Sequence, residues 1–444
     1  MNSISDYEEF SDSTEYLIIS SDLTKDLPED FRLFIKNKDI YLVADENTMV
    51  ASGNAFERLC SMQNITIAGK LIFDAKRELT SDYGNIEIIK KHLMHIDAVP
   101  IAIGSGTVND LVKRSAWELK RKYAIIATAA SVDGYASDGA AILYQGLKQT
   151  LPCSAPAFIA ADTNVLKNAP FEMTSSGYAD LLAKNPAGAD WIISDLLGLD
   201  CIDRKVWKMI QGNLESWVSN PGKLLQKDDE SFDNLFTGLN VAGFAMQYMK
   251  RSRPVSGAEH LMSHIWEMEG HMHKGHHVSH GFKVAIGSLA SIALMETVIS
   301  FNFTEVDIPI VIENWPSIDK RLDDVKKNFI HTNAVDDLLE INKEKYINAE
   351  LLEERLKQLV IIWPELQNSV KNQVIPYREY KKLLLEALCP VKPEDVGLSV
   401  AKVLETYEPA QMMRNRYTIL DLAYETGLLQ KSIKKINHSE YYLR

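Results

Sequence analysis

Short apolar runs that alternate with helical segments are the feature that most restricts the fold of this chain. Five such runs occur before residue 162, at 39–45, 70–73, 98–103, 124–128 and 157–160. Continuous apolar runs of this length are typical of strands buried on both faces of a parallel sheet, with helices as crossovers. Segments 48–63 and 108–121 have the spacing of such helices. The first half is therefore predicted to be an α/β domain.

The remainder of the chain has a different pattern. After Pro170 the strand-like runs stop, and segments 257–269, 281–301 and 349–360 show helical spacing. The residue before a proline is disfavoured in a helix, so Asn168–Pro170 is the expected hinge. We therefore predict an α/β domain over residues 1–170 and an all-α domain over residues 171–444.

Charge and composition exclude several classes of function. The 444 residues include 48 Lys and Arg against 61 Asp and Glu, a net charge of −13, which argues against a nucleic-acid binder. The longest apolar stretch, 284–299, is interrupted by Glu296 and falls short of the ~18 to 20 residues that a membrane span requires. The first 24 residues contain acidic residues but no Lys or Arg, unlike an export signal. We expect a cytoplasmic protein.

The cysteines support a reducing compartment. None of the four lies in a CxxC pair or at a disulfide-like spacing, so all are expected to be buried thiols: Cys60, Cys153, Cys201 and Cys389.

A glycine-containing loop follows the third predicted strand. Residues 103–108, Ile-Gly-Ser-Gly-Thr-Val, join that strand to a helix, a context in which backbone N–H groups can approach a phosphate. A tight turn with no ligand would look the same. Small residues, Thr128–Ser131, follow the next strand, and ligands of open α/β sheets bind at this edge. Asp45 ends an earlier strand and would serve either as a ribose acceptor or as a helix N-cap.

Histidines are concentrated in the helical half, where seven of the eleven lie between His260 and His280. His260 and His264 are four residues apart and share one helix face, with Ser256 as the expected N-cap. His280 begins the next long helix and would return beside them if the two helices are antiparallel. Imidazoles from two helices and one carboxylate would make a divalent-metal site.

Two carboxylates could complete that site. Asp180, in an apolar helix, is costly to bury unless it pairs with a cation, which slightly favours it over Asp190, a more ordinary solvated or capping carboxylate. The loop between the two histidine-bearing helices carries four more histidines, which are more often solvated than ligating: His271, His273, His276 and His277.

Taken together and in order, these motifs resemble the bacterial branch of the sn-glycerol-1-phosphate dehydrogenases. That family lies within the superfamily of iron-containing alcohol dehydrogenases, glycerol dehydrogenases and dehydroquinate synthases. The segments that carry the resemblance are Ala102–Asp110, Thr128–Ser137, Ser176–Asp180, Gly257–His264, Ser279–Gly281 and Arg414–Ala423.

The resemblance implies a Rossmann-like nucleotide-binding domain followed by a helical domain, as in dehydroquinate synthase. It implies that the metal ligands are Asp180, His260 and His280. The matching cofactor contacts are Asp45, Gly104, Ser105, Gly106, Thr107, Val108, Thr128, Ala129, Ala130, Ser131 and Ser137. The positions that match substrate contacts are Asp133, Asp180 and His264, of which Asp133 and His264 are the catalytic candidates.

The activity implied is interconversion of dihydroxyacetone phosphate and sn-glycerol 1-phosphate with NADH or NADPH. Zinc or nickel would act as the Lewis acid at the C2 oxygen. His264 would exchange the proton because an imidazole titrates near working pH, Asp133 would hold a substrate hydroxyl, and Lys184 or Lys283 would bind the phosphate. The family also implies a homodimer.

Two other functions stay open. A dehydrogenase of glycerol or another polyol would need the same metal and cofactor but no cationic pocket. A non-catalytic nucleotide- or metal-binding protein is the alternative from a different class.

Overall fold

The computed structural model describes residues 7–23, 25–76, 78–144 and 147–441. Residues 1–6 and 24 of the acidic first segment therefore lie outside the described residues. Two compact units are present, Met1–Leu181 with Glu215–Ser252 and Leu182–Leu214 with Arg253–Arg444. The predicted hinge at Asn168–Pro170 separates two helices of the first unit.

The first unit contains a six-stranded parallel sheet. The strands of this unit, in chain order, are β1 (Tyr16–Ser20), β2 (Asp39–Asp45), β3 (Ile67–Phe73), β4 (Ala98–Gly104), β5 (Ala124–Ala127), β6 (Gly139–Tyr144), β7 (Leu147–Pro152) and β8 (Phe158–Asp162). Strands β6 and β7 form a separate antiparallel hairpin, and the other six form the sheet. The sheet order is β1-β8-β5-β4-β2-β3. The predicted α/β class and its five strands are confirmed, whereas β1 and the hairpin were not predicted.

The strand order reverses beside β2. β3 pairs with β2 on one side and β4 pairs with it on the other, and the chain then continues outward through β5 and β8. Ligands of open α/β sheets bind beyond the carboxyl ends of the strands at such a reversal. The strand ends that flank it carry Asp45 and Gly104, since Ala44 is level with Ile103.

Helices cover both faces of this sheet and continue into the second unit. The first eleven are α1 (Glu29–Ile35), α2 (Glu46–Thr48), α3 (Asn54–Met62), α4 (Tyr83–Leu93), α5 (Gly106–Glu118), α6 (Thr163–Asn168), α7 (Phe171–Leu182), α8 (Lys184–Leu196), α9 (Arg204–Val218), α10 (Gly222–Leu225) and α11 (Asp229–Met249). A π turn, Met49–Gly53, links α2 to α3. The predicted crossover helices correspond to α2–α3 and to α5.

In its described residues the second unit is helical apart from a short hairpin, β9 (Met272–His273) with β10 (His276–His277). Its remaining helices are α12 (Ala258–Met268), α13 (His280–Ile299), α14 (Ile308–Glu313), α15 (Ile318–Phe329), α16 (Val335–Lys345), α17 (Ala349–Gln373), α18 (Tyr377–Glu386), α19 (Val400–Gln411), α20 (Ile419–Glu425) and α21 (Leu429–Asn437). The predicted all-α class is confirmed.

Helix α13 forms the centre of this unit. It begins at His280 rather than near Val284 and has 20 residues, and the mean hydropathy of its 18-residue apolar window is 1.6. By length and composition alone it could cross a membrane. The expectation that this stretch is too short was therefore wrong. However, 83% of the apolar window is buried against other helices, as in the core helix of a folded domain. Among the described residues it is the one helix that meets these criteria, and it is weak evidence for a span.

All four cysteines are free thiols. Cys60, Cys153 and Cys389 are buried as predicted, but Cys201 is exposed, so the prediction is wrong for that residue. Cys201 lies in the connection between α8 and α9, outside regular structure.

Candidate functional site

Asp180 lies near the carboxyl end of α7, and its side chain is fully buried. The backbone N–H of Asp133 donates to Oδ2 of Asp180 over 2.9 Å. Helix α7 reaches this loop because residue 177 is glycine: a Cβ there would overlap the carbonyl oxygen of Ala130. A buried carboxylate is therefore held against the loop that follows β5.

His260 and His280 are brought together by close packing of α12 on α13. A Cβ at Gly287 of α13 would overlap the carbonyl oxygen of Glu259 in α12, so only glycine permits this approach. The His260 and His280 ring centroids are 5.4 Å apart. Ser279 caps α13, so His280 is the first residue of that helix, as predicted.

The ligand atoms of Asp180, His260 and His280 all lie within 4.8 Å of one another. Within the described ranges this is the one group of three or more such residues placed closely enough to hold a metal ion. One carboxylate and two imidazoles form a donor set that suits zinc or nickel and leaves positions open for substrate. The three residues that the resemblance implies as ligands are thus in one place.

Each of these histidines has a carboxylate partner at Nδ1. Glu259 Oε1 lies 2.8 Å from Nδ1 of His260, and Glu267 Oε1 lies 2.8 Å from Nδ1 of His280. An ionised carboxylate only accepts, so each imidazole donates its Nδ1–H and keeps the Nε2 lone pair for a ligand. Neither glutamate was predicted, because carboxylates are common on helices. Their positions directly before His260 and three residues after His264 are the only signal.

His264 lies beside both candidate ligands. Its ring centroid is 6.2 Å from that of His260 and 6.0 Å from that of His280. Its side chain is 31% exposed, so solvent reaches it. Burial lowers the pKa of His264 to about 4, which outweighs the opposite effect of Glu267. This imidazole is therefore neutral at working pH, and its role in proton exchange stays a prediction.

Asp190 does not join the cluster and serves as a buried cap. Its Oδ2 accepts from the Ala258 N–H at 2.7 Å, and its Oδ1 accepts from the Ile419 N–H at 2.7 Å. Gly257, not the expected Ser256, is the N-cap of α12. Burial, followed by the charge of Glu259, raises the pKa of Asp190 to about 7. The solvated alternative considered for Asp190 was wrong, and the capping alternative is confirmed.

The four loop histidines lie around the β9–β10 hairpin and join no such cluster within the described residues. His271 donates from Nε2 to the carbonyl of Val396 at 2.7 Å, and His273 packs against Gly397. His276 and His277 are exposed.

The predicted phosphate loop lies between β4 and α5. Ser105, Gly106 and Thr107 are partly exposed, whereas Gly104 and Val108 are buried. Ser105 is the N-cap of α5 but makes no side-chain capping bond, so its hydroxyl does not occupy the amides of the first turn. This arrangement leaves a helix N-terminus available for an anion.

The second small-residue segment runs alongside this loop. The Thr128 N–H donates to the Gly104 carbonyl at 3.0 Å, which places the ends of β4 and β5 side by side. The segment is almost fully buried, at 6% exposure for Thr128, 1% for Ala129, 0% for Ala130 and 7% for Ser131.

Ser137 lies in the turn that follows and is held by Lys113 of α5. Nζ of Lys113 is fully buried and donates to the carbonyls of Gly134 at 2.6 Å and Gly139 at 2.9 Å. The Ser137 hydroxyl donates to the Gly134 carbonyl at 3.0 Å. Helix α5 therefore supports the loop that carries Asp133.

Asp45 serves as an N-cap in this structure. Its Oδ1 accepts from the Thr48 N–H at 2.9 Å, while the Thr48 hydroxyl receives the Asp45 N–H. The capping role weighed from the sequence is confirmed. Asp45 is half-buried at the end of β2, beside the reversal in strand order.

The two lysines considered for phosphate binding are both buried. Lys184 is fully buried, and Lys283 is 5% exposed with Nζ 3.2 Å from Oε1 of Glu267.

Comparisons with known proteins identify one family pattern and several similar enzymes. The sequence pattern of the family described as iron-containing alcohol dehydrogenase matches residues 19–170. The chain is 26% identical to a glycerol-1-phosphate dehydrogenase [NAD(P)+] of Geobacillus thermodenitrificans over 94% of both chains. It is 32% identical to the enzyme of the same name from Bacillus subtilis over 57% of this chain and 64% of that one.

A solved structure shares the fold at low identity. The crystal structure of glycerol dehydrogenase from Schizosaccharomyces pombe matches 98% of this chain and 93% of its own, with a TM-score of 0.57 and 16% identity. This likeness establishes the architecture of the chain.

Proposed function

We propose that the chain is a member of the glycerol-1-phosphate dehydrogenases within the iron-containing alcohol dehydrogenase superfamily, and that it interconverts dihydroxyacetone phosphate and sn-glycerol 1-phosphate with NAD(H) or NADP(H). The observation that carries the proposal is the meeting of Asp180, His260 and His280 within 4.8 Å. The phosphorylated three-carbon substrate is taken from the names of the relatives.

We propose these three residues as the ligands of one divalent ion, zinc or nickel. The fit rests on the chemistry of the donor set and on the two glutamates that occupy the Nδ1 positions of both imidazoles. When bound, the ion supplies Lewis acidity to the C2 oxygen of the substrate. Asp180 would also border the substrate.

The dinucleotide is proposed to bind at the reversal between β2 and β4. The pyrophosphate would take the uncapped amides at the start of α5, from Gly104, Ser105, Gly106, Thr107 and Val108. Thr128, Ala129, Ala130, Ser131 and Ser137 would line the adjoining edge. Asp45 would accept from a ribose hydroxyl with the oxygen that its capping bond leaves over, an arrangement that favours NAD over NADP because a 2′-phosphate would be repelled.

His264 and Asp133 are the proposed catalytic residues. When the alcohol is oxidised, a bound NAD(P) would supply the hydride acceptor, and His264 would take the hydroxyl proton, since it is exposed enough to exchange that proton with water. Asp133 would hold a substrate hydroxyl with its side chain while its backbone N–H restrains Asp180.

We further propose a homodimer in the cytoplasm. The homodimer follows from the family resemblance, and the free thiols are in keeping with a reducing compartment such as the cytoplasm.

The test is oxidation of NADH and NADPH by the purified protein with dihydroxyacetone phosphate or dihydroxyacetone. Each assay is run after chelation and again after zinc or nickel is returned. We expect turnover of the phosphorylated ketone alone, restored by about one metal per chain, with sn-glycerol 1-phosphate as the product.

The other outcomes are equally decisive. Turnover of dihydroxyacetone alone would assign a glycerol or polyol dehydrogenase and overturn the substrate. No turnover with either ketone would leave a nucleotide-binding protein, and several weakly held metals per chain would point to the loop histidines.

A further inference from the structure

Glu267 is a buried carboxylate in the last turn of α12, three residues after His264. Its side chain is 6% exposed and faces the start of α13. Three side chains lie within reach of its two oxygens: Oε2 is 3.2 Å from Nδ1 of His264, and Oε1 is 2.8 Å from Nδ1 of His280 and 3.2 Å from Nζ of Lys283. One carboxylate thus links a candidate metal ligand, a candidate proton carrier and a buried ammonium group.

The two glutamates near the histidines differ in this respect. Glu259 contacts one imidazole, that of His260. The same oxygen of Glu259 also accepts from the Gly257 N–H at 2.6 Å. Glu267 meets two imidazoles with separate oxygens. Removal of Glu259 would therefore affect one histidine, whereas removal of Glu267 would release two.

The tautomers of these histidines follow from the chemistry of a carboxylate. Both oxygens of Glu267 can only accept while the group is ionised, and the Lys283 ammonium balances that charge. Both imidazoles must then carry hydrogen on Nδ1, which leaves the lone pair on Nε2 of each ring. His280 needs that lone pair as a ligand, and His264 needs it to take a proton.

We propose that Glu267 is a positioning residue that sets the tautomers of His264 and His280 together. The inference rests on the proposed function for the roles of the two histidines. The effect on the tautomers themselves needs neither metal nor substrate, so it can be measured separately.

A glutamine at this position separates the two roles. Lys283 can only donate, so the carbonyl oxygen of the amide must stay on the Oε1 side, where it still accepts from His280. The amide NH₂ then faces His264, whose Nδ1 must accept and whose hydrogen moves to Nε2. Alanine at position 267 provides no partner for either ring.

The experiment compares wild type, Glu267→Gln and Glu267→Ala in metal-free protein labelled with ¹⁵N-histidine. The ¹⁵N shifts report the tautomer of each ring, and chelator competition gives the nickel and zinc dissociation constants. Glu269→Gln is the matched control, since Glu269 ends the same helix but is 42% exposed and pairs with Lys402 at 2.6 Å. Melting temperatures of all variants report folding.

We expect Nδ1–H on both rings in wild type and in Glu269→Gln. In Glu267→Gln, His264 should change to Nε2–H while metal affinity stays within about 3-fold, because His280 keeps its partner. In Glu267→Ala, metal affinity should fall by about 10- to 100-fold, the range seen when outer partners of ligating histidines are lost.

Three results would overturn the proposal: Nε2–H on either ring in wild type, an unchanged His264 tautomer in Glu267→Gln, or unchanged metal affinity in Glu267→Ala. If neither variant folds, the wild-type shifts still decide. A protein that shows the expected shifts but never reduces dihydroxyacetone phosphate would refute the proposed function and leave the positioning role intact.

Discussion

The backbone N–H of Asp133 donates to the carboxylate of Asp180 over 2.9 Å, although the two residues are 47 positions apart. Asp133 belongs to the loop after β5, which continues the edge where a dinucleotide is proposed to bind, and Asp180 belongs to α7. The bond therefore ties a cofactor-side loop to a candidate metal ligand. This hydrogen bond and the loop after β5 connect the proposed cofactor-binding edge to the proposed metal site.

Replacement of Asp180 by asparagine should remove the metal without unfolding the protein. The amide keeps the size of the carboxylate and can still accept from Asp133, but it lacks the negative charge that a divalent ion needs. We expect metal affinity to fall by more than about 100-fold, measured by chelator competition, with NADH binding retained.

Glu172→Gln is the matched control for that variant. Glu172 lies in the first turn of α7 and is exposed, so metal affinity should equal that of wild type. Tight metal binding by Asp180→Asn would contradict the proposed ligand set.

Substitution of Gly177 by alanine should disturb the surroundings of Asp180 through a clash with the backbone of the loop after β5. Its Cβ would overlap the Ala130 carbonyl, and neither backbone segment can move freely. We expect Gly177→Ala to destabilise the fold by about 1–3 kcal/mol in urea denaturation and to weaken metal binding.

Gly212→Ala provides the contrast within a helix. Gly212 lies in α9, and its built Cβ meets only the flexible side chain of Lys208 at 3.5 Å. That variant should gain about 0.5–1 kcal/mol from helix propensity. Equal destabilisation by both substitutions would refute the close packing of α7 on the loop.

The sequence predicted the elements whose pattern is local. The buried strands β2, β4 and β5 show continuous apolar runs, and the histidine spacing predicted the shared face on α12. Strand β1 escaped prediction because it is a five-residue edge strand whose partner, β8, lies some 140 residues later in the chain. Pairing with such a distant segment cannot be recognised from the few residues around the strand.

The roles of buried charged side chains were the other feature that the sequence did not predict. Asp190 resembled an ordinary polar residue, yet two helix N-termini from distant parts of the chain converge on it, at Ala258 and Ile419. The roles of Glu259 and Glu267 likewise depend on the imidazole nitrogens that tertiary packing places beside them. Such partners depend on tertiary structure, which spacing along the chain does not reveal.

Lys113 should prove essential to the loop that carries Asp133. Its buried ammonium donates to Gly134 and Gly139 and pairs with Asp110 at 3.5 Å. Lys113→Met would remove a charged donor from two carbonyls and a buried cation from beside Asp110, so we expect a loss of about 3–5 kcal/mol in unfolding free energy. NADH affinity, measured by fluorescence, should fall as well.

Lys122→Met is the surface counterpart. Lys122 is 68% exposed and pairs with Glu15, so its loss should cost less than about 1 kcal/mol and leave NADH affinity unchanged. A Lys113 variant as stable as this control would show that the loop does not depend on the buried ammonium group.

Glu425 should make folding stability depend on pH. Its side chain pairs with Arg355 at 2.5 Å, yet burial outweighs this attraction and raises its pKa from the usual 4.5 to about 7. Between those values the folded state binds more protons than the unfolded chain, so this group's contribution to stability falls as pH rises from about 4.5 to 7. The slope is at most about 1.4 kcal/mol per pH unit.

Glu425→Gln cannot titrate, so its free energy of unfolding, measured in urea from pH 4.5 to 8, should increase relative to that of wild type as pH rises. The exposed Glu354→Gln should run parallel to wild type, and a Glu425→Gln curve that also stays parallel would contradict the raised pKa.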